Sequence, residues 1–163
     1  MPDFLLLKDF EQGVATPCSS HRTGGIISII KQKFKGSWKL ESISVKHGTQ
    51  ILHPFGKHVM GILFYGDKYM SVQIIMPIHY PITHKRKMSI ELKELAHSLK
   101  TSGYMGYWGT YHVKTENHTV IHKVEGSNAQ PTVGGNQVRK YRFHEEKLIL
   151  STGPMELIWN KLE

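Results

Sequence analysis

The amino-acid sequence predicts an all-β fold: an antiparallel up-and-down barrel with one covering helix and an N-terminal extension. Its 163 residues, 39% hydrophobic and 21% charged, have the balance of one globular domain. From Gly36 onward, short β-rich runs are separated by turn residues about every dozen positions. Eight such runs with short connections can close on themselves, and closure removes the exposed edges of a sheet.

The first 35 residues are predicted to be an extension, and residues 36–163 are predicted to form the barrel. Gly13 and Pro17 lie in a part of the extension that lacks strand alternation. Residues 26–34 then have the apolar spacing of a short amphipathic helix. We interpret this helix as a lid or plug for the barrel.

The β-rich runs share alternating apolar and polar positions and are bounded by turn residues. We expect strands over residues 37–46, 58–65, 68–76, 106–114, 119–126, 137–143, 147–152 and 155–161.

One helical pattern interrupts these strands. Ser89 is suited to cap its N-terminus, and Gly103 is suited to end it. An apolar stripe at helical spacing lies between them, formed by Leu92, Leu95, Ala96 and Leu99. We expect this stripe to cover one end of the barrel.

The predicted hairpin turns determine which side chains face the barrel interior. A turn at residues 116–117 pairs Tyr111 with His122, and a turn at residues 145–146 directs Arg139 inward. For the strand that holds Gln73, alternation does not decide which of its two faces points into the barrel. The predicted ligand-binding side chains are Trp38, Gln73, Tyr107, Tyr111, His122, Gln137, Arg139, Tyr141 and Trp159. Such a mixture of apolar walls and a few polar groups is typical of small-molecule cavities.

The formal net charge of +8 would attract nucleic acid, acidic lipid or an anionic small molecule. The densest basic run, at residues 84–87, lies in a proline-containing loop and is interpreted as a solvated surface. The aromatic residues at positions 104, 107, 108 and 111 are split by alternation between two faces, which disfavours a base-stacking platform. We therefore expect no nucleic-acid partner.

A membrane and a secretory route are not expected either. No apolar stretch approaches the roughly 20 residues that span a bilayer. The N-terminus lacks the basic region of a signal peptide. Cys18 is the single cysteine, so no internal disulfide can form. These features predict a cytoplasmic protein.

Several sequence blocks resemble a known family. The segment at residues 36–40, Gly-Ser-Trp-Lys-Leu, resembles the Gly-x-Trp that opens lipocalins. Further blocks in matching order are similar to the stand-alone lipocalin-like domains of bacteria and fungi, and they lie at residues 53–57, 61–65, 69–73, 106–111, 122–127 and 137–141. The resemblance implies a calyx-shaped barrel for a small hydrophobic molecule, and a few barrel relatives catalyse cyclisation or isomerisation. It also implies a structural role for an arginine packed over Trp38.

Two functions follow, and the sequence leaves both open. The first is binding of a small, largely hydrophobic molecule that can carry an anionic group. Arg139 or His122 would orient this molecule in the cavity. The alternative is a cofactor-independent isomerase or cyclase, in which His122 moves a proton and Tyr111, Gln137 or Arg139 stabilises an oxyanion. Against the catalytic interpretation, we favour a core histidine bonded to a tyrosine for His122. Arg139 can bind a ligand carboxylate or enolate, but we favour the structural role over Trp38 that the resemblance implies.

The eleven histidines do not predict a metal site. His118 and His122 are four positions apart on a strand, which separates them by roughly 13 Å. The sequence also lacks the ligand spacings of zinc sites. We expect neither a metal nor a cofactor.

Overall fold

The computed structural model describes residues 20–56, 58–76, 90–129 and 133–162. Two helices and nine strands are formed in these ranges. In chain order they are α1 (Ser20–Phe34), β1 (Gly36–His47), β2 (Gln50–Leu52), β3 (Met60–Tyr65), β4 (Tyr69–Ile75), α2 (Ile90–Ser102), β5 (Tyr104–Lys114), β6 (Thr119–Ser127), β7 (Asn136–His144), β8 (Lys147–Thr152) and β9 (Met155–Lys161).

The strands form one closed antiparallel barrel. Each strand from β3 to β8 pairs with the next along the chain, and β1 pairs with both β3 and β9. Eight strands therefore complete the ring, and β2 adds a short hairpin arm to the far end of β1. The predicted all-β, up-and-down barrel is confirmed. Among the described residues, every barrel strand has a paired neighbour on both sides.

The eight predicted strands agree with the observed bounds to within two residues at each end. The strand bounds could be predicted because short turns hold consecutive strands in a fixed register. The arm β2 was missed. It has only three residues, which are too few for an alternating pattern to be recognised.

The helix α1 closes the end of the barrel at which β1 begins. It starts at Ser20, six residues before the predicted helix. Its last residue, Phe34, is completely buried, and its ring lies edge-on to the rings of Tyr65, Tyr141 and Phe143 at centroid distances of 5.1, 4.9 and 5.1 Å. The Trp38 indole also donates a 2.7 Å hydrogen bond to the Phe34 carbonyl. Phe34 thus fills this end of the interior.

The helix α2 lies at the opposite end, between β4 and β5. Leu95, Ala96 and Leu99 of the predicted stripe are buried, while Ser89 and the side chain of Leu92 lie outside the described residues, as do Cys18 and the basic run at 84–87. The predicted C-terminal glycine, Gly103, has a φ of 68° and donates to the Leu99 carbonyl at 2.9 Å. This left-handed conformation suits glycine and ends the helix.

Candidate functional site

A cavity of about 30 Å³ lies inside the barrel, between its strands and α2. It is lined by Leu63, Val72, Ile74, Leu95, Met105, Tyr107, His122, Arg139, Leu150, Met155, Leu157 and Trp159. Ligand pockets usually measure about 300–1,000 Å³, whereas a water molecule needs only about 10–15 Å³ of such space. The interior is therefore nearly filled by its own side chains. It is smaller than the calyx that the family resemblance implied.

His122 on β6 is the centre of a buried polar cluster. Its Nε2 lies 2.6 Å from the Tyr65 hydroxyl and its Nδ1 lies 2.8 Å from the Tyr107 hydroxyl. Only 1% of His122 is exposed. The three side chains come from β3, β5 and β6, so the closed barrel is what brings them together. We call Tyr65, Tyr107 and His122 the Tyr–His–Tyr cluster.

The cluster is electrically neutral. Burial, and to a smaller extent the positive charge of Arg139, lowers the pKa of His122 to about 3. Burial also raises the pKa of both Tyr65 and Tyr107. A neutral imidazole donates one hydrogen bond and accepts one. One tyrosine hydroxyl therefore donates to His122, and the other accepts from it.

Arg139 on β7 places a positive charge in the same interior. The residue is 7% exposed, and its Nη2 donates to the Gln137 Oε1 at 3.2 Å. Its Nη1 is buried and has no hydrogen-bond partner. The indole Nε1 of Trp159, another cavity-lining residue, is also buried without a partner. Two buried donors without a hydrogen-bond partner thus belong to residues around one cavity.

Eight of the nine predicted ligand-binding residues fall into two groups, and the ninth, Gln73, lies apart from both. Tyr107, His122, Arg139 and Trp159 line the cavity, with Gln137 beside Arg139. Trp38, Tyr111 and Tyr141 are buried but are absent from the cavity lining, and Phe34 lies near this group.

Gln73 is exposed on the outer wall, so its prediction as an inward ligand-binding residue is wrong. The turn between β3 and β4 explains this result, because it pairs Leu63 with Val72. Val72 and Ile74 are buried and line the cavity. Alternation along the strand then directs Gln73 outward.

Tyr111 and His122 are cross-strand partners, as the hairpin register predicted. Their polar groups nevertheless have different partners. The Tyr111 hydroxyl donates to the Gly66 carbonyl at 2.8 Å, while His122 is held by Tyr65 and Tyr107. Tyr65 was missed by the sequence reasoning. The β3–β4 turn could have indicated it. Leu63 faces inward, and Tyr65 is two residues further along the same face of the strand.

A lysine, and not Arg139, packs over the Gly-x-Trp tryptophan. The Lys161 Nζ lies 4.3 Å from the centroid of the Trp38 ring and also donates to the Lys35 carbonyl. The resemblance implied an arginine in this position. Because Lys161 comes from β9, which pairs with β1, it occupies the site over Trp38. Arg139 is left facing the cavity.

The aromatic residues of β5 divide between the two faces as alternation predicted. Tyr107 and Tyr111 are buried, whereas Tyr104 and Trp108 are exposed. Within the described ranges, no group of three or more His, Cys, Asp or Glu side chains is arranged to hold a metal ion. None of the described helices is long and apolar enough to cross a membrane.

An eight-stranded antiparallel barrel with a helix at each end and a few polar side chains in an apolar interior defines a class of small ligand-binding barrels. The family model described as the lipocalin-like domain matches residues 35–162. The chain therefore belongs to the lipocalin-like domain family, whose barrel suggests small-molecule binding in general.

No curated protein matches the chain. Among solved structures, an uncharacterized protein from Bacteroides eggerthii is similar at 13% sequence identity, with a TM-score of 0.44. The match covers 78% of this chain and 98% of that one.

Proposed function

We propose that this protein binds a small, largely hydrophobic molecule inside the barrel. The observation that carries the proposal is the lining of the cavity: polar groups of Tyr107, His122 and Arg139 converge on walls that are otherwise mostly aliphatic. Binding sites for small molecules have this composition, in which apolar walls supply affinity and a few polar groups fix orientation. A core needed only for stability gains nothing from a buried arginine, because burying a charge is costly.

A guest must displace part of the lining, since the cavity holds only about 30 Å³. Eleven of its twelve lining residues lie on barrel strands, and Leu95 of α2 is the exception. Moving a strand breaks barrel hydrogen bonds, whereas moving α2 breaks none of them. The wall formed by α2 is therefore the proposed point of entry.

Hexan-1-ol is a suitable neutral probe for this function. It should raise the melting temperature of the protein in a dose-dependent way, because a ligand that binds only the folded state stabilises it. Val72→Phe places a ring in the cavity and should abolish the shift. Gln73→Phe, one position away on the outer face, should leave the shift intact. If hexan-1-ol does not raise the melting temperature of the wild type, the proposal is wrong. It is also wrong if hexan-1-ol shifts the melting temperatures of Val72→Phe and Gln73→Phe equally.

A cofactor-independent isomerase or cyclase is the second candidate. The Tyr–His–Tyr cluster favours it, because an imidazole bonded to two phenols can pass a proton between them. The low pKa of His122, about 3, argues against it, since a group so hard to protonate is a weak base at neutral pH. Native mass spectrometry of freshly purified protein separates the two functions. A carrier returns a co-purified compound unchanged, whereas an enzyme converts it and loses turnover in His122→Gln.

A further inference from the structure

Arg139 is a buried cation without an acidic partner. Of the described side chains of Asp and Glu, none is buried. The ion pairs of the described chain join Lys35 to Asp67, Lys46 and Arg142 to Glu156, and Lys147 to Glu41. None of them involves Arg139. Removing an unpaired charge from water costs several kcal/mol, so its persistence in the interior calls for a counter-charge.

The cavity residues also have an excess of hydrogen-bond donors. Arginine and the tryptophan indole donate hydrogen bonds but cannot accept them. The Nη1 of Arg139 and the Nε1 of Trp159 are both buried and unpartnered. The missing chemical feature is an acceptor. A guest that supplies oxygen lone pairs would satisfy both donors, whereas a hydrocarbon would satisfy neither.

The charge of the interior sets the charge of the guest. The Tyr–His–Tyr cluster is neutral, so Arg139 contributes the single formal charge among the buried side chains that the structure describes. A monoanion would neutralise it. A dianion would leave one negative charge unpaired in an apolar cavity, and an alcohol would leave the arginine uncompensated.

We infer that the ligand is a monocarboxylate whose carboxylate binds the Nη1 of Arg139, with the Nε1 of Trp159 as the second donor. The inference rests on the proposed function and names the polar end of its ligand. A hydrogen bond from the charged guanidinium to a carboxylate oxygen is stronger than one to a neutral acceptor. The aliphatic lining then receives the rest of the molecule, which extends towards Leu95. The net charge of +8 favours the approach of an anion.

The test compares three probes with six carbons: hexanoate, hexan-1-ol and adipate. Isothermal titration calorimetry on the full chain at neutral pH and low salt should give hexanoate an affinity about ten- to a hundredfold above that of hexan-1-ol, as expected for a charge-assisted hydrogen bond. Adipate, a dianion, should bind more weakly than hexanoate. Equal binding of hexanoate and hexan-1-ol overturns the inference but leaves the proposed function standing. If none of the probes binds, the proposed function fails as well.

Substitutions at three positions test where the carboxylate binds. Arg139→Met keeps a long apolar side chain and should remove the preference for hexanoate while hexan-1-ol still binds. The matched control is Arg142→Met on the same strand, because Arg142 is exposed and paired with Glu156. It should retain the preference in full. Trp159→Phe, which keeps a ring but lacks the indole donor, should reduce the preference severalfold.

A preference for hexanoate that survives Arg139→Met would mean that the anion binds elsewhere, and it would contradict the inference. Should Arg139→Met fail to fold, Trp159→Phe and the wild-type probe comparison still decide the question.

Discussion

His122 shows how burial sets the chemistry of one residue. Its imidazole is almost fully enclosed, and both of its nitrogens are bonded to tyrosine hydroxyls. Protonation would place a second positive charge near Arg139 and would break the bond in which His122 is the acceptor. For both reasons the neutral form is favoured in the folded state.

This residue makes stability depend on pH. The folded pKa is about 3, well below the unfolded value near 6.5, so the unfolded chain binds the proton more readily. The contribution of His122 is therefore complete above pH 6.5 and is lost as the pH falls towards 3. Between pH 7.5 and pH 5, wild type should lose about 2 kcal/mol of unfolding free energy that His122→Gln does not lose.

Urea denaturation at the two pH values measures this difference. His112→Gln is the matched control, because His112 is exposed on the outer face of β5. It should preserve the wild-type pH dependence. An unchanged dependence in His122→Gln would show that His122 is not the group responsible.

At the scale of elements, the two helices have different relations to the interior. The end of α1 inserts a complete aromatic ring among strand aromatics, whereas α2 contributes a single leucine to the lining of the cavity. One end of the barrel is therefore closed by the single ring of Phe34, whereas Leu95, Ala96 and Leu99 of α2 pack on the other end and only Leu95 reaches the cavity.

Leu95→Ala tests the role of α2. The substitution enlarges the cavity and should cost about 2–5 kcal/mol of stability, as for other buried leucines. It should also increase the affinity for hexan-1-ol, because less lining must be displaced. Leu99→Ala is a matched control on the same helix, since Leu99 is equally buried but does not line the cavity. It should lose similar stability without a gain in affinity, and calorimetry distinguishes the two results.

Phe34→Ala tests the role of α1. Removing a fully buried ring should cost about 3–5 kcal/mol, while the Trp38 hydrogen bond to the backbone carbonyl of Phe34 can remain. Ile29→Ala on the same helix should change stability by less than about 0.5 kcal/mol, because Ile29 is 62% exposed. Chemical denaturation of both variants gives the comparison. Similar losses would mean that α1 does not stabilise the barrel through Phe34.

At the scale of the whole molecule, closure between β1 and β9 distinguishes the barrel from an open sheet. Seven residue pairs connect these strands, with a register shift between Leu40 and Ser42. Hydrogen exchange should therefore show amides of the β1–β9 seam as strongly protected as those of β5 and β6. The β2 arm, with three pairs and mostly exposed side chains, should exchange much faster. Rapid exchange along the seam would contradict a closed ring.

The sequence by itself determined the strand pattern and much of the inward face. A turn between adjacent strands fixes which residues are opposite one another, and strict alternation extends that choice along each strand. This is why Tyr107, His122 and Arg139 could be predicted to face inward. Where both faces were plausible, as at Val72 and Gln73, alternation could not select one.

Only the tertiary structure decided how far along the barrel each inward residue lies and which distant strand it meets. Alternation specifies a face but carries no information about the stagger between strands that are far apart in the chain. Hence the contact of Tyr65 with His122, the position of Lys161 over Trp38 and the small volume of the cavity all emerged only on closure. Each depends on side chains from non-adjacent strands or on packing of the whole interior, which no local pattern encodes.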